Sequence, residues 1–486
     1  MIQLKHVTYQ YLNEKEPTIR DLSLTVPSGT CVVLTGRSGC GKTTLTRIIN
    51  GLALHFFNGK MRGQVLIDDL DLQNQPFWGI GRQVGSVLQD PSSQFFAEQA
   101  LDEVAFGCEN YGMDRRQMKK RITAAATKTG TQELLSRNLF QLSSGEQQRL
   151  AIASIYAVNP NCYIFDEPSA NLDEAAMKQL SQLIRSLKDE GKTLFIAEHR
   201  LHYLIGVADQ FIYMKNGQIA QSFATQELLE LSVGEREALG LRAASLSLPS
   251  QTGNHAATPL NLSKKNVRSL EINDLSFAFH DKIVLSHLNL IAHPGEIIAL
   301  TGANGAGKTT FAKILCGLLK EQDGKILFHE KLVRRRQRKK ETFFVMQHAD
   351  TQLFAENVSE EIRMSLKNRS DEPDRILQNY HLDHLKMVHP SVLSGGQKQR
   401  LVLAVAETLA PDFLFLDEPT SGLDGENMRL VAKQLHHLAV QKKTILVITH
   451  DLEFIQHTCS RVIRLDKGCI ICDRPVRRPL DDVQKG

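Results

Sequence analysis

The chain has 486 residues, enough for about three domains of ordinary size. Its 42% hydrophobic and 23% charged residues are typical of a soluble globular protein, and a net charge of +4 is too small at this length to indicate nucleic-acid binding. The eight cysteines are scattered, which predicts no disulfide framework. The N-terminus has no apolar core, which predicts no signal peptide. No run approaches ~18 apolar residues, so any membrane role is expected to be peripheral.

The first half opens with a strand pattern, VTYQY, and then reaches a glycine-rich loop, GRSGCGKTT, at residues 36–44. The loop fits G-x-x-x-x-G-K-[ST] between an apolar strand and a helical pattern, the context in which this motif binds nucleotide phosphates. Lys42 is predicted to neutralise phosphate charge, and Thr43 to offer its hydroxyl to Mg²⁺. The other nucleotide contacts predicted here are Gly36, Ser38, Gly39, Cys40, Gly41 and Thr44.

Two elements follow between the phosphate loop and the next buried strand. Gln89 ends a short strand and is expected to contact Mg²⁺ or the attacking water, although alone it is a weak indication. The phrase LSSGEQQR contains Ser143, Gly145 and Glu146, for which contact with ATP is an implication of a family resemblance and not of the spacing. Ser143-x-x-Glu146 fits a capping box, so we expect a helix to begin here with its N-terminus facing a phosphate.

Two adjacent carboxylates end the next buried strand pattern, CYIFDE. Because successive side chains of a strand point to opposite sides, Asp166 and Glu167 are expected to have separate roles. Asp166 would hold Mg²⁺, and Glu167 would orient or deprotonate the attacking water. His199 follows a second apolar run and is predicted to be catalytic; a structural histidine is the alternative interpretation.

The second half repeats these phrases in the same order. GANGAGKTT returns at 302–310, LSGGQKQR contains the second signature, and FLFLDE ends in two carboxylates. Twenty-three residues separate Ser143 from Asp166 and Ser394 from Asp417, and 33 separate each aspartate from its histidine. The chain is therefore two copies of one domain. The corresponding predicted site residues are Gly302, Asn304, Gly305, Ala306, Gly307, Lys308, Thr309, Thr310, Gln347, Ser394, Gly396, Gln397, Asp417, Glu418 and His450, with Thr309, Gln347 and Asp417 toward Mg²⁺.

The halves are joined by a polar stretch rich in Ser, Thr, Asn and Pro. We predict domain 1 over residues 1–235, a flexible linker over 236–268 and domain 2 over 269–486. Strand–loop–helix order and buried apolar runs predict an α/β fold with parallel strands. The spacing from phosphate-loop lysine to signature serine is 15 residues longer in the first half, so the halves are expected to differ there in partner contacts.

With these motifs in place, the whole chain resembles two fused ATP-binding cassettes of the ABC superfamily, because LSSGEQQR and LSGGQKQR resemble its LSGGQ signature. The resemblance implies tandem P-loop NTPase domains, each with a mostly parallel sheet, an antiparallel β subdomain and a helical subdomain. It also implies ATP and Mg²⁺ as cofactors, and head-to-tail pairing in which one half's phosphate loop meets the other half's signature. Tyr11 and Phe279 match the family's adenine-stacking position; a place in the strand core is the alternative, although Tyr9 and Phe277 fit the core better.

The two signatures differ at one position that bears on activity. Ser144 stands where the second copy has Gly395, and a side chain there would cost on the order of 1 kcal/mol if positive φ or close backbone approach is required. We therefore expect the site of Lys42, Glu167 and His199 with the second signature to be intact. The site of Lys308, Glu418 and His450 with the first signature is expected to be slower but not inactive.

The segments after the two glutamines, LQDPSSQFFAEQALDEVAFG and MQHADTQLFAENVSEEI, are similar to those of ATPases of energy-coupling factor importers, and EHRL at 198–201 resembles their fused members. This similarity implies an integral membrane coupling protein and a small substrate-binding membrane protein as partners, import of vitamins or metal ions, no nucleic acid, and a location on the cytoplasmic face of a bacterial membrane. A soluble tandem cassette acting in translation and a fused sugar-importer ATPase remain alternatives. The basic run RRRQRKK at 334–340 is interpreted as a solvated loop, with contact to anionic lipid head groups as the second interpretation and nucleic-acid binding as the third.

Overall fold

The structure is a computed structural model that describes residues 1–12, 14–246, 269–280, 282–366 and 373–476. The chain divides into two compact units after Ser245, with residues 424–426 grouped with the first unit.

The first unit alternates strands and helices along the chain. Its strands are β1 (Ile2–Tyr11), β2 (Ile19–Val26), β3 (Cys31–Gly36), β4 (Gly59–Ile67), β5 (Leu70–Asp71), β6 (Val84–Val87), β7 (Cys162–Asp166), β8 (Thr193–Ala197), β9 (Gln210–Lys215) and β10 (Gln218–Phe223). Its helices are α1 (Lys42–Ile49), α2 (Leu52–His55), α3 (Phe77–Gln83), α4 (Ala100–Asn110), α5 (Arg115–Thr129), α6 (Ser144–Val158), α7 (Glu174–Asp189), α8 (Thr225–Glu230) and α9 (Val233–Leu239).

These strands form two sheets with different roles. The six-stranded sheet has the order β10-β9-β3-β8-β7-β6 and is parallel except for β10, whereas β2-β1-β4-β5 is antiparallel. The central strands β3 and β8 are buried along their whole length, as expected for parallel strands covered on both faces. Because parallel strands share one carboxyl edge, the loops after β3, β7 and β8 emerge together, and they carry the predicted site residues.

The second unit repeats this order of elements. Its strands are β11 (Leu270–Phe279), β12 (Lys282–Ala292), β13 (Ile297–Thr301), β14 (Asp323–Phe328), β15 (Lys331–Leu332), β16 (Thr342–Val345), β17 (Phe413–Asp417), β18 (Thr444–Ile448), β19 (Arg461–Asp466) and β20 (Cys469–Pro475). Its helices are α10 (Lys308–Leu315), α11 (Arg335–Glu341), α12 (Val358–Ser365), α13 (Pro373–Asn379), α14 (Gly395–Leu409), α15 (Gly425–Val440) and α16 (Leu452–Thr458).

The sheets of the second unit have the same topology as those of the first. The six-stranded sheet runs β16-β17-β18-β13-β19-β20, and the antiparallel sheet runs β12-β11-β14-β15. The α/β class and the duplication predicted from the sequence are therefore confirmed.

The helical subdomain between the glutamine strand and the signature differs between the units. In the first unit α4, α5 and α6 pack around a small apolar core of their own. Helix α5 has 15 residues, begins at the N-cap Asp114 and ends at Gly130 in the left-handed conformation. Its counterpart α13 has seven residues. Seven of the 15 additional first-half residues lie in this subdomain, since Gln89 precedes Ser143 by 54 residues and Gln347 precedes Ser394 by 47; the other eight lie between the phosphate-loop lysine and the glutamine.

Two sequence interpretations fall on segments with defined structure. The interpretation of residues 334–340 as a solvated loop is wrong, because α11 covers most of them and Arg338 is fully buried against Glu321. The predicted linker 236–268 overlaps the end of α9, and Leu241 and Ala244 are buried. Residues 247–268 lie outside the described residues, so the linker stays a prediction there.

Candidate functional site

Each phosphate loop curls around a buried lysine. The Lys42 ammonium group donates to the carbonyl oxygens of Gly36 at 3.1 Å and Arg37 at 3.2 Å. Lys308 does the same with Gly302 at 2.6 Å and Ala303 at 3.0 Å. The ammonium group is therefore held across the mouth of its own loop, where a phosphate would supply stronger acceptors than these carbonyls.

The loop glycines serve two different purposes. A Cβ atom on Gly36 would lie 2.4 Å from the carbonyl oxygen of Met214, so packing requires glycine there. At Gly39 and Gly305 nothing lies within 4 Å, but φ is +79° and +82°, which side chains rarely adopt. The left-handed turns lead into α1 and α10, and the N-termini of these eight-residue helices follow directly. Both loops therefore fit phosphate binding.

The remaining predicted loop residues occupy corresponding places in the two units. Cys40 and Ala306 are buried, Ser38 is half-buried and Asn304 is exposed. Burial raises the pKa of the Cys40 thiol, although nearby Lys42 opposes the shift. This cysteine therefore packs as a small apolar residue.

A hydroxyl and a carboxylate meet beside each loop, as predicted for Mg²⁺. Thr43 Oγ1 donates to Asp166 at 3.4 Å, and Thr309 Oγ1 donates to Asp417 at 2.8 Å. Burial raises the pKa of Asp166 to about 6, with a further contribution from the Glu167 carboxylate, and burial also raises the pKa of Asp417. Oxygen ligands are those that Mg²⁺ prefers, so the residues present fit this ion.

The glutamate at the end of each strand has an unusual backbone conformation and lies beside the predicted catalytic histidine of its unit. Glu167 and Glu418 have φ of +47° and +48°, which is strained for a residue with a side chain. His199 Nε2 lies 3.4 Å from Glu167 Oε1, and His450 Nε2 lies 3.8 Å from Glu418 Oε1. Burial acts to raise the pKa of Glu167, but His199 and Lys42 outweigh it and lower the pKa. Glu167 is therefore a carboxylate at neutral pH.

The two glutamates have different additional partners. Gln89 Nε2 donates to Glu167 Oε2 at 2.9 Å, so the structure brings this predicted residue into the first site. Gln347 ends β16 in the same way, but it is exposed and makes no hydrogen bond within the described part of the chain. Glu418 instead accepts from the Thr449 hydroxyl at 3.3 Å.

Both signatures begin helices through the predicted capping boxes. Ser143 and Glu146 cap α6 reciprocally, and Ser394 and Gln397 cap α14. A Cβ on Gly145 would lie 2.9 Å from Ala176 Cβ, and one on Gly396 would lie 2.7 Å from Asn427. Gly145 and Gly396 are therefore needed for close packing within their own units.

A serine at position 144 was expected to be strained and so to slow the site that contains Lys308, but no such strain is present within the first unit. Neither Ser144 nor Gly395 has positive φ, and a Cβ on Gly395 would meet nothing within 4 Å. Both residues are the first of a helix, where a serine fits without strain.

The aromatic pair predicted to stack on adenine is accessible, unlike its neighbours. Tyr9 and Phe277 are buried as expected, whereas Phe279 is 48% exposed and Tyr11 is half-buried. The Tyr11 hydroxyl lies 3.2 Å from Thr44 Oγ1, at the start of α1. Tyr11 therefore contacts α1, the helix that directly follows the phosphate loop. In the second unit, Thr310 of α10 occupies the position that corresponds to Thr44.

Sequence reasoning missed a buried carboxylate next to His199. Glu198 is 2% exposed and accepts four hydrogen bonds, including one from the backbone amide of His199 at 2.7 Å. The sequence offered a signal, a charged residue at the end of an apolar strand. That residue is the first of the phrase EHRL.

Comparison with known proteins bears on the whole chain. The family profile described as ABC transporter matches residues 19–170 and 285–421. A protein of Treponema denticola described as an ABC transporter ATP-binding protein is 40% identical over 97% of this chain and 96% of its own length. One of Saccharolobus solfataricus with the same description is 31% identical over 97% of this chain and 93% of its own.

A solved structure of ribosome-bound archaeal Pelota and ABCE1 aligns with a TM-score of 0.68 at 22% identity, covering 97% of this chain and 79% of that one. At this identity the likeness shows a shared fold alone. No helix in the ranges that the structure describes is long and apolar enough to cross a membrane.

Proposed function

Because the chain belongs to the ABC transporter family of ATP-binding proteins and is an ATPase with two cassettes, we propose that it is the ATP-hydrolysing subunit of an energy-coupling factor type importer. It works at the cytoplasmic face of a bacterial membrane and drives uptake of a vitamin or metal ion through separate membrane subunits. The full duplication of the site supports hydrolysis in both cassettes: lysine across the glycine loop, threonine–aspartate pair, glutamate–histidine pair and capped signature helix. The energy-coupling type is supported by the matched segments that follow Gln89 and Gln347.

In the proposed mechanism each group acts on ATP through a contact that its position allows. Lys42 and Lys308 neutralise phosphate charge; Thr43 with Asp166, or Thr309 with Asp417, would hold Mg²⁺, which would offset the charge on the phosphates. Glu167 and Glu418 orient the attacking water as carboxylates. His199 and Gln89 fix Glu167 before ATP arrives, so little rearrangement is needed at the moment of reaction.

An exposed phenylalanine lies seven residues after Gln89 and another lies seven residues after Gln347, and both are candidate docking points for membrane partners. Phe96 is 77% exposed and Phe354 is 78% exposed, and they occupy corresponding places in SQFFAE and TQLFAE. Large exposed apolar side chains at matched positions are typical of interaction sites. We propose that the coupling protein contacts both.

A buried glutamate holds each of these segments in place. Glu103 accepts from the backbone amides of Phe96 at 2.9 Å and Ala97 at 3.0 Å. Glu361 accepts from Phe354 at 2.9 Å and Ala355 at 2.8 Å. Since binding an ordered segment costs less conformational entropy, this arrangement favours a docking role.

The test is purification of the tagged chain from its native cell in mild detergent, with partners identified by mass spectrometry. Two small integral membrane proteins are expected, and Phe96→Ser with Phe354→Ser should release them. Val440→Ser is the matched control, because Val440 is 84% exposed at the end of α15 and outside these segments.

Three other outcomes are informative. Ribosomal proteins without membrane proteins would contradict the proposal in favour of the translation alternative. Partners of a sugar importer would contradict the energy-coupling type alone. Loss of membrane partners with Val440→Ser as well would contradict the specific docking role of the two phenylalanines.

A further inference from the structure

The loop that carries His199 is tied to the loop after Glu167 by one buried carboxylate. Glu198 Oε1 accepts from the backbone amides of His199 at 2.7 Å and Arg200 at 3.0 Å. Its Oε2 accepts from the Tyr203 hydroxyl at 2.8 Å and the Ser169 amide at 3.3 Å. Ser169 is the second residue after Glu167, so one side chain connects both halves of the glutamate–histidine pair.

The second unit makes the same connection with a different residue. Thr449 stands at the place of Glu198, and Asp451 stands at the place of Arg200. Asp451 Oδ2 accepts from the Thr420 hydroxyl at 2.7 Å, and Thr420 is the second residue after Glu418. Asp451 is 4% exposed and also accepts from the Phe454 amide at 3.1 Å. The carboxylate thus precedes the histidine in one unit and follows it in the other.

The connection matters because the glutamates are strained. A residue at φ near +47° persists only when its surroundings hold it there. Hydrogen bonds to an ionised, buried carboxylate are short and strong, and a buried carboxylate without its donors is very unfavourable. Arg200 cannot replace Asp451 in the first unit, because it is a cation and its backbone amide is already bonded to Glu198.

We propose that Glu198 is the positioning residue of the first ATP site, and that it does for His199 and Glu167 what Asp451 does for His450 and Glu418. The inference rests on the proposed part of His199 in hydrolysis. Glu198 acts through the backbone on either side of the pair and does not touch ATP.

The test uses the full chain with Glu418→Gln as background, so that ATP turnover reports on the first site. Glu198→Gln keeps the shape but replaces one acceptor oxygen by an NH₂ group that faces N–H or O–H donors. We expect kcat to fall about tenfold, since small displacements of catalytic groups have effects of this size, while KM for ATP stays within about twofold. An unchanged kcat would overturn the inference.

Transplanting the second unit's arrangement separates positioning from simple damage. Glu198→Thr alone should lower kcat, whereas the triple variant Ser169→Thr, Glu198→Thr, Arg200→Asp should recover at least half of it. Failure of the triple variant to exceed Glu198→Thr would contradict the exchange of carboxylates. Thermal unfolding of each variant shows whether a loss comes from unfolding.

Two controls complete the design. If His199→Ala leaves turnover unchanged, the proposed role of the histidine fails; if it lowers turnover and Glu198→Gln does not, only the positioning inference fails. Should Glu198→Gln not fold, Tyr203→Phe removes a single donor and is expected to lower kcat two- to threefold at unchanged KM. No change in that variant's kcat would then overturn the inference.

Discussion

At the scale of the residue, each site depends on a glutamate whose neighbours hold its carboxyl group in place. Glu167 lies between His199 at 3.4 Å and Gln89 at 2.9 Å, whereas Glu418 lies between His450 at 3.8 Å and Thr449 at 3.3 Å. Glu167 thus has an imidazole and an amide among its contacts, and Glu418 has a more distant imidazole and a hydroxyl among its contacts. This difference gives a physical reason for unequal sites that does not depend on Ser144.

We predict that Glu167→Gln lowers total ATP turnover more than Glu418→Gln does. Removal of a group that orients or deprotonates water lowers the rate at its own site by roughly 100-fold, so the faster site dominates the loss. Steady-state phosphate release from the assembled complex measures both variants. Unaffected hydrolysis in Glu167→Gln with abolished hydrolysis in Glu418→Gln would show that the ranking is wrong.

At the scale of the element, the start of each signature helix has one tolerant and one demanding position. Gly395 is helical and has space for a side chain, while Gly396 faces Asn427. The same pattern in the first unit, Ser144 followed by Gly145, shows that a serine is accommodated at the tolerant place.

We therefore predict that Gly395→Ser changes the free energy of unfolding by less than about 0.5 kcal/mol, whereas Gly396→Ala lowers it by roughly 1–3 kcal/mol because of the contact with Asn427. Urea unfolding at pH 7 measures both. Equal effects of the two substitutions would mean that packing against Asn427 is not the demanding feature.

Helix α11 depends on a buried ion pair. The Arg338 guanidinium, fully buried, donates to both Glu321 oxygens, one of them at 3.1 Å. Burial acts to raise the pKa of Glu321, but Arg338 outweighs it and the pKa is lowered. A lowered folded-state pKa contributes stability that is present above the unfolded value of about 4.3 and is lost as pH falls through the folded value.

We predict that Arg338→Ala destabilises the protein by about 3 kcal/mol at pH 7, because it leaves Glu321 without its partner. The difference from the unsubstituted chain should shrink as pH falls through the lowered folded-state pKa of Glu321, because below it Glu321 is protonated in both chains. Arg336→Ala on the same helix is the control, since Arg336 is exposed. A pH-independent difference would show that packing, not the ion pair, accounts for the loss.

At the scale of the whole molecule, the proposal is that each cassette completes the other's site. It rests on the family resemblance and on two matched sets of residues in one chain. The structure describes each unit with its own phosphate loop and its own capped signature helix, and head-to-tail pairing predicts which pairs work together.

Variants that affect one site should be redundant with each other. Adding Ser394→Ala to Glu167→Gln should leave turnover unchanged, because both act on the first site, whereas adding Ser143→Ala should reduce the remaining turnover severalfold. Steady-state ATP hydrolysis of the two double variants decides the matter. If Ser143→Ala is the redundant substitution, each cassette completes its own site and head-to-tail pairing is wrong.

The sequence by itself determined the features that depend on a few neighbouring residues. Glycines fix the turns of the phosphate loop, Ser and Glu or Gln fix the start of α6 and α14, and buried apolar runs fix the parallel strands. These arise from backbone conformation and local hydrogen bonds, so repeated spacing was enough to predict two copies of one α/β domain.

Only the tertiary structure decided which distant side chains share a hydrogen bond. Glu198 accepts a hydrogen bond from Ser169, which lies 29 positions earlier. Arg338 pairs with Glu321 although it belongs to a basic run that was expected to be solvated. Gln89 donates to Glu167, whereas Gln347 has no such partner among the described residues. A buried charge is stable only when donors or an opposite charge surround it, and those partners come from other elements of the fold. Their arrangement is set by packing, which the order of residues along one segment does not specify.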